Sequence, residues 1–176
     1  MSIKILICSD SHGDVDTMCG AAEKEKPDMI LYLGDGIADA EELSAQSPNI
    51  EMIKVPGNVD SQKEDEEWMQ YTEICGKRFM MMHGHTFFTG KEMTQNEMAQ
   101  ARLNILDFMS ENNVDITLHG HIHEPFAYYH RYTQLKRGWI MCPGRIGRYN
   151  DSVHPTYGVL NIEESGALEW RVVEVE

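Results

Sequence analysis

Short apolar runs alternate with segments of helical spacing along the first third of the chain. Ile3 to Cys8, Met29 to Leu33 and Ile50 to Val55 each predict a strand. Each run stops at a glycine-bearing turn: Ser9-Asp10-Ser11-His12-Gly13, Gly34-Asp35-Gly36 and Pro56-Gly57-Asn58. A helix follows the first turn with Asp14 as its N-cap, and another runs from Ile37 to Ser47 before Pro48 closes it. Strand and helix in alternation indicate parallel strands joined by crossover helices.

The remainder is richer in strands. Trp68 to Ile74 and Arg78 to Met82 predict a hairpin turned by Cys75-Gly76, in which Met80, Met81 and Met82 fill the core. Glu64 to Glu67 reads as the solvated face of a helix. A longer helix spans Met93 to Ser110, with Met98, Ala101, Ile105 and Met109 spaced to face the interior. Strands follow at Ile116 to Leu118, Phe126 to Tyr132, Trp139 to Met141, Thr156 to Ile162 and Leu168 to Val173, the last two joined by a turn at Glu164-Ser165-Gly166. So many strands with so few helices predict two packed sheets with helices outside, in the α/β class.

Composition sets bounds on this picture. A chain of 176 residues with 41% hydrophobic and 25% charged residues describes one ordinary globular domain, 1–176, able to bury a core without disulfides. No apolar run approaches the roughly 20 residues that span a bilayer, and no leader pattern precedes Ile3. A cytoplasmic protein that does not engage membranes is expected. Cys8, Cys19, Cys75 and Cys142 form no C-x-x-C pair, which agrees with reduced thiols. A net charge of -14 argues against a general nucleic-acid surface. The acid is uneven: residues 1–76 hold 5 Lys and Arg against 17 Asp and Glu, whereas Pro125 to Asn150 holds no acid and five basic residues. Arg145 and Arg148 in that stretch are candidates to meet an anionic substrate, beside the plainer reading of a solvated basic surface.

The informative pattern is positional. Predicted strands end in turns that carry Asp10 and His12, Asp35, Asn58, His83, and His119 and His121. Loops beyond the carboxyl ends of strands are where α/β sheets bind ligands, so these side chains can converge. Two carboxylates about 4 Å apart repel by roughly 4 kcal/mol at an effective dielectric near 20, and a cation removes that cost. Imidazole, carboxylate and amide together suit manganese, iron, zinc, cobalt or nickel, and seven ligands exceed the needs of one ion.

These turns resemble the signature of the calcineurin-like metallophosphoesterases. The motifs stand as Asp10-Ser11-His12, Gly34-Asp35, Gly57-Asn58, His83-Gly84-His85 and His119-Gly120-His121-Ile122-His123. The chain is most similar to the small YfcE-type phosphodiesterase branch, which shares its fold with the retromer scaffold subunit. The resemblance implies an αββα sandwich of two mixed sheets flanked by helices. It also implies two divalent ions, manganese foremost, with one held by Asp10, His12, Asp35 and His121. Asp35, Asn58, His83 and His119 would hold the other, with Asp35 bridging. A metal-bridging hydroxide would then attack a small phosphate-ester substrate. Asp35 and Asn58 are thus catalytic expectations, and Asp60 supports them from behind.

Two departures from the family pattern matter. Many members carry a histidine after the motif asparagine that serves the transition state or leaving group, and here Val59 stands there. Phosphodiesters with good leaving groups are then favoured, or His85 or His123 substitutes, each being two residues from an expected ligand. Cys142-Pro143-Gly144-Arg145 also replaces the usual Asn-Pro-Gly-Ser. A dinucleotide site is the weaker rival, since Asp39 occupies the third glycine position of that fingerprint. A noncatalytic scaffold is the stronger one, opposed by seven intact ligand positions. The sequence leaves a homo-oligomer open.

Overall fold

A computed structural model describes residues 2–61, 67–89, 93–131, 137–149 and 152–175. One sheet is built from β1 (Ser2–Cys8), β2 (Met29–Tyr32) and β3 (Glu51–Lys54), with β9 (Thr156–Glu163) and β10 (Leu168–Glu174) beside β1, in the order β10-β9-β1-β2-β3. β1, β2 and β3 are parallel, and β9 runs antiparallel to both β1 and β10. The second sheet has the order β4-β5-β6-β8-β7, from β4 (Met69–Ile74), β5 (Lys77–Met82), β6 (Ile116–His119), β7 (Phe126–Arg131) and β8 (Arg137–Cys142). There β5, β6 and β8 are parallel, with antiparallel β4 and β7 at the edges.

Side-chain alternation divides each strand between two cores. Ile5 and Ile7 of β1 and Leu31 of β2 meet Phe79, Met81, Ile116 and Leu118 of the second sheet between the layers. Leu6, Cys8, Ile30 and Tyr32 point outward under α1 (Val15–Glu25) and α2 (Ile37–Gln46), where Met18, Ala22, Ala40 and Leu43 cover them. Met80 and Met82 face α3 (Gln95–Asn112) and pack with Ala101, Ile105 and Met109. The Met80–Met82 run is therefore buried throughout because its sheet is covered on both sides. The layers are helix, sheet, sheet, helix.

Most predicted boundaries hold within two residues. Asp14 caps α1 through its side chain, as expected. The third helix begins later than Met93, because Thr94 and Glu97 form a reciprocal capping box. The acidic helix expected at Glu64–Glu67 lies outside the described residues except for Glu67, which is exposed and belongs to no regular element. The four cysteines are free. Among the described residues no helix is long and apolar enough to cross a membrane.

Candidate metal centre

The carboxyl ends of β1, β2, β3, β5 and β6 lie at one end of the sandwich, where their loops interlock. Asp10 and His12 donate backbone N–H groups to the carbonyls of Gly34 (2.9 Å) and Asp35 (3.1 Å), and the Gly120 amide reaches the His83 carbonyl at 2.9 Å. A Cβ on Gly57 would come within 2.0 Å of Asp35 Oδ1, and one on Gly120 within 1.7 Å of Ser9 Oγ. Only glycine lets the loops approach that closely. Asp10, His12, Asp35, His121 and His123 all have left-handed backbones, with φ between 46° and 69°. Five such residues in one place mark strain held by the surrounding bonds.

Each carboxylate is anchored on one oxygen and presents the other. Asp10 Oδ2 accepts from Ser9 Oγ at 2.5 Å and the His121 amide at 3.1 Å. Its Oδ1 faces Nε2 of His123 at 3.2 Å, His12 at 3.8 Å and His83 at 3.9 Å. Asp35 Oδ1 accepts from the Val59 amide at 3.0 Å, while Oδ2 faces His83 Nε2 at 3.3 Å and His12 Nε2 at 4.0 Å. His83 Nδ1 donates to the Leu33 carbonyl at 2.7 Å, which leaves Nε2 for the cluster. His121 Nδ1 lies 3.3 Å from that Nε2. Two ligand groups result, Asp10–His12–His123 and Asp35–His83–His121, with donor atoms inside each within 4.8 Å of one another.

The electrostatics fit divalent cations. Asp10 and Asp35 are buried, and among the described residues their ion-pair partners are all imidazoles. Burial opposes charge on Asp35, yet the His83 hydrogen bond and charge, the Val59 amide and His12 hold its carboxyl below the usual range. Burial would lower His83, but Asp35 and Asp10 raise it. His121 and His85 are lowered, first by burial and then by the charge on His83. Bonds of 2.0–2.2 Å from ligand atoms to one ion place those atoms about 3–4 Å apart, which matches the closest distances here.

Other expected residues fall into three groups. Asn58 and His85 line the same cavity as His12, Asp35, His121 and His123. Asp60 sits behind it, and its carboxylate accepts from the amides of Asp35, Gly36, Ile37 and Gly57 at 2.8–2.9 Å. Arg145 is buried beneath the Tyr149 ring, 4.5 Å from its centroid, and donates to the Val153 carbonyl. Arg148 lines a different hollow, against α1. Neither arginine lines the metal cavity.

His119, expected as a metal ligand, is buried, and its Nε2 has no hydrogen-bond partner among the described residues. It is the last residue of β6, paired with Met82, and its ring stacks on Phe88 at 4.7 Å. Burial pushes its pKa down to about 4, so the ring is neutral near pH 7. It belongs to neither ligand group, and His123, expected at the substrate, stands against Asp10 instead. The cause is where the strand ends. His119 remains on the sheet, and the chain bends at His121, where His121 and His123 line the cavity.

Sequence reasoning missed the support for His12. Asp39 accepts from Ser11 Oγ at 2.6 Å and the Gly13 amide at 2.7 Å, and Ser11 Oγ meets the Tyr32 hydroxyl at 2.6 Å. An acidic residue in the first turn of α2 was the available signal. Tyr149 was also missed, with its ring 5.4 Å from His12.

The family model of the calcineurin-like phosphoesterase superfamily domain matches residues 3–165. The chain belongs to this superfamily. A superfamily relative from Mycoplasma pneumoniae, named a probable metallophosphoesterase, is 24% identical over 92% of this chain and 91% of its own. Among solved structures, a conserved protein of Streptococcus pneumoniae described as a predicted phosphoesterase superposes with a TM-score of 0.68, at 19% identity over 99% of both chains. A single mutant of Vps29 from Entamoeba histolytica superposes with a TM-score of 0.67, at 17% identity over 99% of this chain and 100% of the other. At these identities the structural matches establish the shared fold. Membership makes this calcineurin-like chain a candidate metal-dependent hydrolase with the two ligand groups at its centre.

Proposed function

We propose that this chain is a phosphodiesterase working with two divalent cations, manganese foremost. Asp10, His12 and His123 hold one, and Asp35, His83 and His121 hold the other, with Asn58 beside Asp35. The supporting observation is that the two groups share an edge: His12 Nε2 lies 3.8 Å from Asp10 and 4.0 Å from Asp35. Asp35 can thus bridge the pair. Bound there, such cations supply Lewis acidity to phosphoryl oxygens and bring the pKa of a water towards 7.

The chain's own residues do the rest. Asp60 and Asp39 hold the loops, so that the ligand side chains need no rearrangement to converge. His85 lines the cavity outside both groups, its ring centroid 5.7 Å from that of His83, and is the residue proposed to meet the leaving oxygen. Val59 is 61% exposed at the position where a histidine is usual, so no proton comes from there and the leaving oxygen is left to His85.

The test is hydrolysis of bis(4-nitrophenyl) phosphate with added manganese, with and without chelator, beside Asp35→Asn. We expect manganese-dependent turnover that falls at least about 1,000-fold in the variant. Absence of metal-dependent turnover would overturn the reading in favour of a noncatalytic interaction scaffold, which the likeness to Vps29 keeps as the second reading.

A further inference from the structure

The metal cavity encloses about 930 Å³ and has two unlike walls. One is the ligand wall. The other is made by Thr89, Met93, Met98 and Ile122, with exposed Glu124 on the rim. The volume lies near the top of the range of about 300–1,000 Å³ that holds drug-sized ligands. A phosphoryl group on its ligands leaves much of it for the rest of a substrate.

The second wall is apolar and anchored. Met93, Met98 and Ile122 are half-buried and pack on the core of Met80, Met82 and Phe88 beneath α3. Their remaining surface faces the cavity. Thioethers are polarisable and adaptable, and make favourable contacts with aromatic rings. Charge narrows the choice further. Among the described residues lining the cavity there is no lysine or arginine, while Asp35 and Glu124 are acidic.

We propose that Met93, Met98 and Ile122 form a subsite for a neutral aromatic ester arm, so that the substrate is a phosphodiester bearing a ring of phenyl or nucleobase size. This rests on the phosphodiesterase reading. It gives small headgroup esters no advantage.

Methyl-labelled methionine NMR tests the subsite without turnover. In the zinc-loaded protein, diphenyl phosphate should shift the Met93 and Met98 methyl signals by ring current, assigned through Met93→Leu and Met98→Leu. Dimethyl phosphate should not. Equal shifts from dibutyl phosphate would replace the aromatic arm by an alkyl one and overturn the proposal, as would unmoved methyl signals. Kinetics supply the second arm, using phenyl and methyl esters of 4-nitrophenyl phosphate. Met98→Glu should raise KM for the phenyl ester about tenfold with kcat within about twofold, and Met98→Leu, which keeps an apolar side chain of similar size, should raise it by less. Equal changes for both esters sink the subsite alone. Methyl shifts without hydrolysis of either ester would sink the hydrolase reading and leave the subsite standing.

Discussion

The two sheets contribute unlike halves of the centre. The β1–β2–β3 side supplies both carboxylates, His12 and Asn58, and its loops are tied by their own side chains. Asp60 collects four amides, and Asp39 collects the Ser11 hydroxyl and the Gly13 amide. The β5–β6 side supplies His83, His121 and His123; the Gly120 amide on the His83 carbonyl ties its two loops, and further anchors come from across the cleft. The Leu33 carbonyl fixes His83, and Asp10 takes the His121 amide. The anionic half is tied mostly by its own side chains, with the Ile146 and Gly147 amides adding support at the Ser9 and Asp10 carbonyls, and the imidazole half leans on it. Preorganisation therefore resides mainly in one sheet, and damage there should reach both candidate ligand groups.

The largest break comes from Asp60→Ala, which strips four amides of their acceptor. It should cost about 4 kcal/mol in urea unfolding of the metal-free protein. Asp60→Asn, which keeps an acceptor oxygen, should cost less. An unchanged midpoint in Asp60→Ala would show that the anionic half does not depend on this carboxylate.

A sharper cut separates the three histidines near β6. His123→Ala should weaken zinc binding at least about 100-fold by calorimetry, whereas His119→Leu should keep the two-ion stoichiometry. The reverse result would return His119 to the ligand set. Asp39→Ala should act more weakly, lowering zinc affinity about tenfold through a loosened Ser11–Gly13 loop.

The smallest effect lies away from the cavity and serves as a control. Glu25 is buried between Arg171 and the Tyr157 hydroxyl. Burial opposes its charge, but those hydrogen bonds and the charges of Arg171 and Lys4 hold its carboxyl below the usual value. The unfolded chain then takes up this proton at higher pH than the folded one. The associated stability is present above the unfolded pKa and is lost as pH falls through the folded pKa. Glu25→Gln should flatten that acid limb by about 1 kcal/mol and leave zinc binding intact. A loss of zinc affinity would show that the centre depends on the far face of the first sheet.

Much of this was legible in the chain. Asp10, His12, Asp35, Asn58 and His83 each follow a short apolar run and sit in a turn that holds a glycine, so strand, turn and candidate ligand could be read together. His119, His121 and His123 could not be separated, because alternate residues of an extended segment point the same way. β6 pairs with β5 through His119, and the chain bends at His121, whose backbone is left-handed. Arg145 and Arg148 looked like anion contacts by charge alone, yet one lies under Tyr149 and the other beside α1. Asp39 looked like a failed glycine, and its role needs Ser11 and Gly13, 26 or more residues away, to be brought against it.

The chain alone determined the layering and the kind of chemistry, since hydrophobic period and donor type are local properties of residues. Only tertiary structure decided which imidazoles face the carboxylates, which oxygen of each carboxylate is free, and which methionines border the cavity. Those choices depend on where pairing between distant strands stops, and no local stretch of sequence carries that information.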